Sequence, residues 1–162
     1  MSGCQASRPR VPQLALVVFV AHAECRWLRG LRPGFRHCFV VLRDGATWLC
    51  CDPLKDRIEL SVLPVPPWFD LAAFYGKQGH TVLLGTTKPN VPRRPFAIAP
   101  LTCVTIAKRL LGVHAPGVLT PWQLCRLLQG RMHGFLPVGP ANMSCEVRPA
   151  QPVNPALDSR RL

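Results

Sequence analysis

The sequence has little acidic charge and no long apolar run. Its 162 residues include 20 Lys and Arg but only 8 Asp and Glu, which gives a formal net charge of +12. Such a basic excess attracts anionic partners, including nucleic acid, cell-wall polymer and anionic membrane surfaces. The basic residues are scattered, however, and no apolar run reaches the ~20 residues that a membrane span needs. We therefore expect a solvated basic surface, no specific nucleic-acid site and no transmembrane segment.

The motifs that bind metals and nucleotides are also missing. None of the eight cysteines forms a C-x-x-C pair of the zinc-binding type, and the sequence has no glycine-rich nucleotide loop or dinucleotide fingerprint. Cys38, Cys50 and Cys51 stand in apolar runs, where cysteine acts as a small hydrophobic residue. We therefore expect a reduced protein of the cytoplasm or of a virion, without a metal or an organic cofactor.

The composition predicts one folded domain with flexible ends. Hydrophobic residues make up 48% of the chain and charged residues 17%, which is enough for one hydrophobic core at this length. We assign residues 14–136 to the domain and residues 1–13 to a flexible N-terminus. The Pro-rich, aperiodic residues 137–162 are expected to form a disordered tail.

The N-terminal apolar run allows two interpretations. Arginines precede the run Leu14–Val20, and Ala21-His22-Ala23 after it resembles a cleavage site, as in a short signal peptide. The same run, rich in β-branched residues, is also typical of a buried strand. We favour the strand and keep secretion as the alternative.

Strand and helix patterns follow each other along the domain. Apolar or alternating runs predict strands at 14–20, 35–42, 47–51, 57–62 and 80–84, with a short helix at 68–75. Two stronger helix signals come later. Thr102 caps the first of these helices and Gly112 ends it, and the second begins with a capping box at Thr120 and ends at Gly130. These elements predict an α+β fold, with an antiparallel sheet packed against a helix.

Cys103 is the candidate nucleophile. It falls in the first turn of the helix capped by Thr102, where the helix dipole favours a negative sulfur and lowers the pKa of a thiol. Free backbone N–H groups of that turn can also stabilise an oxyanion. The alternative is a small core residue that faces the sheet, which is the commoner role of an isolated cysteine.

His37 is the candidate base, and Asp52 is the residue that orients it. His37 starts an otherwise apolar strand, and Asp44-Gly45 predicts a two-residue hairpin loop after that strand. This loop places His37 directly opposite Asp52 on one sheet face, within hydrogen-bonding reach. The same face carries an apolar bed for the Cys103 helix, made of Phe39, Val41, Trp48 and Cys50. The alternative is an ordinary cross-strand contact at a sheet edge.

Three segments hold these residues: Arg36–Val41, Trp48–Pro53 and Leu101–Gly112. Together they resemble the permuted branch of the NlpC/P60 papain-like superfamily, in which the histidine strand precedes the cysteine helix. The resemblance implies a permuted papain-like fold and a Cys–His–polar triad, carried onto Cys103, His37 and Asp52. Members of that family often have the third polar residue at the position that Leu49 occupies here. Leu49 cannot orient an imidazole, so either Asp52 takes that role or the triad is incomplete.

The resemblance also implies a function. A cysteine hydrolase of this kind cleaves an amide or ester bond through an acyl-thioester on Cys103, with His37 as the base. The implied substrates are peptides such as peptidoglycan stem peptides, and phage structural proteins are further partners of such phage or bacterial proteins. The alternative is a non-catalytic papain-like module that binds a protein or polymer in a phage or bacterial assembly. A basic nucleic-acid binder is a third interpretation, which would need a charged patch.

Overall fold

The computed structural model describes residues 11–21, 30–89 and 102–138. Within them lie six strands: β1 (Leu14–Val20), β2 (His37–Asp44), β3 (Thr47–Pro53), β4 (Ile58–Leu63), β5 (Thr81–Thr86) and β6 (Leu136–Val138). The helices are α1 (Leu71–Lys77), α2 (Cys103–Leu111) and α3 (Pro121–Gln129). Residues 1–10 of the predicted flexible N-terminus, residues 22 and 23 of the signal-like site and residues 139–162 of the predicted tail lie outside the described residues.

The six strands form one antiparallel sheet in the order β4-β3-β2-β1-β5-β6. The apolar run Leu14–Val20 is a central strand, paired with β2 on one side and with β5 on the other. Its middle residues are fully buried because the sheet is covered on both faces. The predicted α+β class, an antiparallel sheet with helices packed on it, is confirmed.

Helices cover both faces of the sheet. α2 and α3 pack on the face that presents Cys38, and they share one buried cluster with it. α1 packs on the other face, where its Tyr75 lies against Phe39 and Val41. The prediction that the Cys103 helix would lie on the Phe39 face was therefore wrong. β2 is apolar on both faces, so its sequence gives no sign of which face that helix covers.

The hairpin between β2 and β3 turns one residue later than predicted. Asp44 still belongs to the strand and pairs with Thr47, so the loop is Gly45-Ala46 rather than Asp44-Gly45. Gly45 has a positive φ of 58° at the first loop position, which is where a type II′ turn requires glycine. The register therefore moves by two residues. Such a shift keeps every side chain on its predicted face, because side chains alternate with a period of two.

The ends of α2 and α3 are the ones that the sequence predicts. Thr102 Oγ1 accepts the Thr105 N–H at 3.2 Å, and Gly112 ends α2 with a left-handed φ of 71°. Thr120 and Gln123 form the capping box of α3. Local side chains thus determine where both helices begin. The Thr102 cap places Cys103 at the N-terminus of α2.

Lys108 fixes the connection between these two helices. Its Nζ donates to the carbonyl oxygens of Ala115 and Val118, at 2.8 Å and 2.7 Å. Both carbonyls belong to the loop that follows α2, so the lysine holds this loop against the last turns of its own helix. This arrangement sets the path by which α3 returns to the sheet.

β6 extends the sheet into the region that the sequence assigned to the tail. Leu136–Val138 pairs with β5, so Pro137 and Val138 belong to the folded part. The buried Phe135 just before β6 lies against Gly85 of β5, where an added Cβ would fall 2.5 Å from the ring. The absence of a side chain at Gly85 is therefore what lets the Phe135 ring lie against the sheet.

β4 is an edge strand with exposed apolar side chains. Ile58, Leu60 and Val62 are 48%, 74% and 60% exposed. The register between β3 and β4 places them on the same sheet face as Leu49, which is also partly exposed. That is the face on which α2 packs against β2 and β3. None of the described helices is long and apolar enough to cross a membrane.

Candidate active site

Cys103 is the first residue of α2. The cap at Thr102 satisfies the N–H of Thr105, and the first intrahelical bond runs from the Ile106 N–H to the Thr102 carbonyl. The N–H groups of Cys103 and Val104 therefore have no acceptor within the helix. The Cys103 side chain is partly buried and packs against the core cluster beneath α2.

A short hydrogen bond joins His37 and Asp52. His37 Nε2 and Asp52 Oδ1 are 2.7 Å apart, and the two side chains are 18% and 26% exposed. The predicted direct opposition of these residues was wrong, because the later turn makes them diagonal neighbours. The contact forms all the same, since the shift keeps both on one face and a diagonal neighbour lies within reach of a long side chain.

The His37 ring also interacts with Cys103, because a hydrogen bond and the charge of His37 both help to lower the pKa of Cys103. This contact forms although α2 packs on the face opposite to the predicted one. The ladder between β2 and β3 ends at Val40 and Cys51, so His37 lies beyond these pairs, at the end of the sheet where it pairs only with Val20 of β1. Because Asp52 holds Nε2, Nδ1 is the ring nitrogen left for the sulfur. The structure thus brings together all three predicted site residues.

The surroundings of Cys103 favour its thiolate. The pKa of Cys103 is lowered from 9.0 to about 5, chiefly by a hydrogen bond from the Cys38 side chain. Burial opposes this shift, but the hydrogen bond and charge of His37 and a bond from the Cys38 backbone add to it. The sulfur therefore carries a negative charge at neutral pH.

The surroundings of His37 favour its protonated form. Burial lowers the pKa of the imidazole, but the hydrogen bonds to Asp52 and Cys103 and the charges on both outweigh burial and raise this pKa to about 9. At neutral pH the site therefore holds a Cys103 thiolate beside a His37 imidazolium. This ion pair is the resting form that a cysteine nucleophile with a histidine acid and base requires.

Cys38 is a site residue that the sequence interpretation missed. It was assigned to the core as a small hydrophobic residue, and it is indeed completely buried. Yet its thiol hydrogen-bonds to Cys103, and this contact, together with burial, raises the pKa of Cys38 well above its ordinary value. Its position next to His37 was the available signal, but the contact follows only once Cys38 is known to face α2.

The other thiols of the sheet differ in character from Cys103. Burial raises the pKa of Cys50 to about 12 and also raises the pKa of Cys51. Both stay protonated at neutral pH. Across residues 11–21, 30–89 and 102–138, no group of three or more His, Cys, Asp or Glu side chains is placed to hold a metal ion.

Comparisons of this chain with protein-family models, with curated proteins and with solved structures found no match.

Proposed function

We propose that this protein is a cysteine hydrolase of the permuted papain-like kind, with Cys103 as nucleophile, His37 as acid and base, and Asp52 as the residue that orients His37. The observation that carries the proposal is the 2.7 Å hydrogen bond between Asp52 and His37 beside the N-terminus of α2, where His37 helps to lower the pKa of Cys103. The order of the candidate residues along the sequence, with the histidine strand before the cysteine helix, is that of the permuted family. A buried core cysteine would need neither the ion pair nor the orienting carboxylate.

In the first step, the Cys103 thiolate attacks the carbonyl carbon of the substrate. The C–N or C–O bond then breaks, and the His37 imidazolium gives its proton to the leaving amine or alcohol. An acyl-thioester on Cys103 and a neutral His37 remain. The N–H groups of Cys103 and Val104 are the donors that would stabilise the oxyanion of the tetrahedral intermediate, because neither has an acceptor within α2.

In the second step, water attacks the thioester carbonyl. Neutral His37 removes a proton from this water, the C–S bond breaks, and the carboxylic acid leaves. The thiolate and the imidazolium are thereby restored. Throughout the cycle the Asp52 carboxylate fixes the ring orientation through Nε2, and it stabilises the imidazolium whenever His37 is protonated.

We further propose that the substrate is a peptide, with peptidoglycan stem peptides as the first class to test. The family resemblance names this class, and the net charge of +12 favours an anionic polymer carrying the scissile bond. A phage or bacterial origin, in the cytoplasm or associated with a virion, belongs to the same proposal.

The test is to incubate the full chain with purified peptidoglycan fragments and with activated peptide esters, and to follow cleavage and covalent adducts by mass spectrometry. We expect product formation and a transient acyl group on the peptide that contains Cys103. The matched control is Cys103→Ser, which keeps the shape of the site but lacks the thiolate. Cys51→Ser serves as a second control, since Cys51 is buried and stays protonated. Equal adduct formation on Cys103 and on Cys51 would contradict the proposal.

One observation favours the second candidate, a non-catalytic papain-like module that binds a protein or polymer. The apolar row of Ile58, Leu60 and Val62 on edge strand β4 is exposed, as a binding surface would be. The same experiment separates the two candidates. A binding module would retain the peptide or polymer without any covalent adduct on Cys103, and Leu60→Lys would weaken that retention.

A further inference from the structure

Two thiols, rather than one, meet at the N-terminus of α2. Cys103 starts the helix, and Cys38 follows His37 on β2 with its side chain turned towards that helix. Cys103 packs against the buried cluster that contains Cys38, and a hydrogen bond from the Cys38 side chain is the chief cause of the lowered pKa of Cys103. Both cysteines are free thiols.

The two thiols differ in accessibility. Cys103 is only partly buried, whereas Cys38 is 0% exposed and lies inside the core beneath α2. A small oxidant from solvent therefore reaches Cys103 first, and the Cys103 thiolate is the reactive form. Cys38 lies behind it, protected from solvent but next to the sulfur that would be oxidised.

We propose that Cys38 is the resolving thiol of a reversible oxidation site, at which a hydroperoxide converts Cys103 and Cys38 into an intramolecular disulfide. In the first step the Cys103 sulfur attacks one peroxide oxygen, the O–O bond breaks, and hydroxide or alkoxide leaves. Cys103 becomes a sulfenic acid, oxidised by two electrons. In the second step the Cys38 sulfur attacks the Cys103 sulfur, its proton leaves with the hydroxyl group as water, and the S–S bond forms.

The disulfide would use up the Cys103 thiolate that hydrolysis needs and would keep this sulfur from irreversible oxidation. A sulfenic acid without a neighbouring thiol goes on to sulfinic and sulfonic acid, which ordinary reductants do not reverse. A disulfide is returned to two thiols by a small dithiol, which is oxidised in turn. Loss of hydrolysis in the oxidised form rests on the proposed function, but the disulfide itself does not.

The full chain is treated with hydrogen peroxide, and the remaining free thiols are then blocked. The protein is digested with trypsin and the peptides are analysed by mass spectrometry. Cleavage after basic residues yields residues 37–43 and 94–108, each with a single cysteine. We expect these two peptides to appear as one disulfide-linked species, which dithiothreitol separates. Dithiothreitol should restore alkylation of Cys103 to about its level before oxidation. In Cys38→Ala the recovered fraction, measured against the level of that variant before oxidation, should be about tenfold lower.

Matched variants keep the test independent of folding and of hydrolysis. Cys50→Ser removes a thiol on the other sheet face and should leave the linked species unchanged. Circular dichroism shows whether Cys38→Ala is folded, and the linked peptide in the unmodified sequence needs no variant at all. Oxidised Cys103 found as sulfinic or sulfonic acid, with Cys38 still free to alkylate after unfolding, would overturn the proposal. A disulfide in a protein that cleaves no substrate would instead overturn only the hydrolase.

Discussion

His37 contacts two side chains of opposite function at the end of the sheet. Asp52 accepts a hydrogen bond from its Nε2, and Cys103 lies on its other side. Asp52 holds the ring and stabilises its positive charge, whereas in the proposed mechanism Cys103 is the nucleophile whose leaving group His37 protonates. The two contacts should therefore differ in how much activity depends on them.

We expect His37→Ala to lower the rate of hydrolysis by about 10² to 10⁴-fold, because the acid and base is lost. Asp52→Asn should lower the rate less, since the amide can still hold the ring but does not stabilise its charge. Initial rates on a cleaved peptide, with Cys103→Ser as the background, provide the measurement. An unchanged rate in Asp52→Ala would remove Asp52 from the site.

The charge on Cys103 predicts a pH dependence of its alkylation. The pKa of Cys103 is depressed from 9.0 to about 5, so the rate of reaction with iodoacetamide should rise through about pH 5 and level off well below pH 9. His37→Ala removes the hydrogen bond and the positive charge, so it should move the midpoint upwards. The measurement is the alkylation rate of the peptide that holds residue 103, followed against pH. A midpoint that His37→Ala leaves in place would show that His37 does not stabilise the thiolate.

Because β5 packs closely against the segment before β6, we expect an added methyl group at Gly85 to destabilise the fold. Gly85→Ala would place a Cβ 2.5 Å from the Phe135 ring, so the ring must move. We expect a loss of about 1–3 kcal/mol in the free energy of unfolding, measured by denaturant titration. Gly117→Ala is the matched control, because a Cβ at Gly117 meets nothing within 4 Å.

A double-mutant cycle would show that the Phe135 ring causes this loss. Phe135→Leu removes the ring, so adding Gly85→Ala to it should be less destabilising than Gly85→Ala alone. The coupling should be about 0.5–3 kcal/mol, as for residues in direct contact. Strictly additive effects would mean that the ring relaxes without strain.

At the scale of elements, the sequence predicted most accurately what local chemistry determines. α2 and α3 begin and end where their caps lie, because a Thr side chain and a following Gly specify a helix end within a few residues. The hairpin was less predictable. Asp44-Gly45 and Gly45-Ala46 both suit a two-residue loop, and the choice depends on pairing along the strands rather than on the turn alone.

The proximity of the three candidate residues was predictable from the sequence, but their full arrangement was not. Cys103, His37 and Asp52 carry signals of their own, in a helix cap, a polar residue in an apolar strand and a hairpin partner. The role of Cys38 depends on which face α2 covers, and a strand that is buried on both faces does not encode that choice. Tertiary packing decides which face α2 covers, because α1 occupies the opposite face.

The charge of the whole molecule predicts salt-dependent binding to anionic polymers. A net charge of +12 should hold the protein on a sulfated polysaccharide and on DNA at low ionic strength, and added salt should release it from both to a similar extent. Retention on the two polymers, measured over a salt gradient, tests this expectation. Tight binding to one DNA sequence that persists at high salt would instead indicate a dedicated nucleic-acid site.

The separation of His37 and Cys103 along the chain also governs when the thiol becomes reactive. β2 forms a local hairpin with β3, whereas β3, β4, α1 and β5 separate His37 from Cys103 along the chain, so we expect the contact between these two residues to form late in folding. Contacts between distant segments form late, because closing a long loop loses chain entropy. A newly made chain therefore carries an ordinary thiol at residue 103. We expect its low pKa to be acquired at the end of folding, so fast alkylation of Cys103 would report that the native state has been reached.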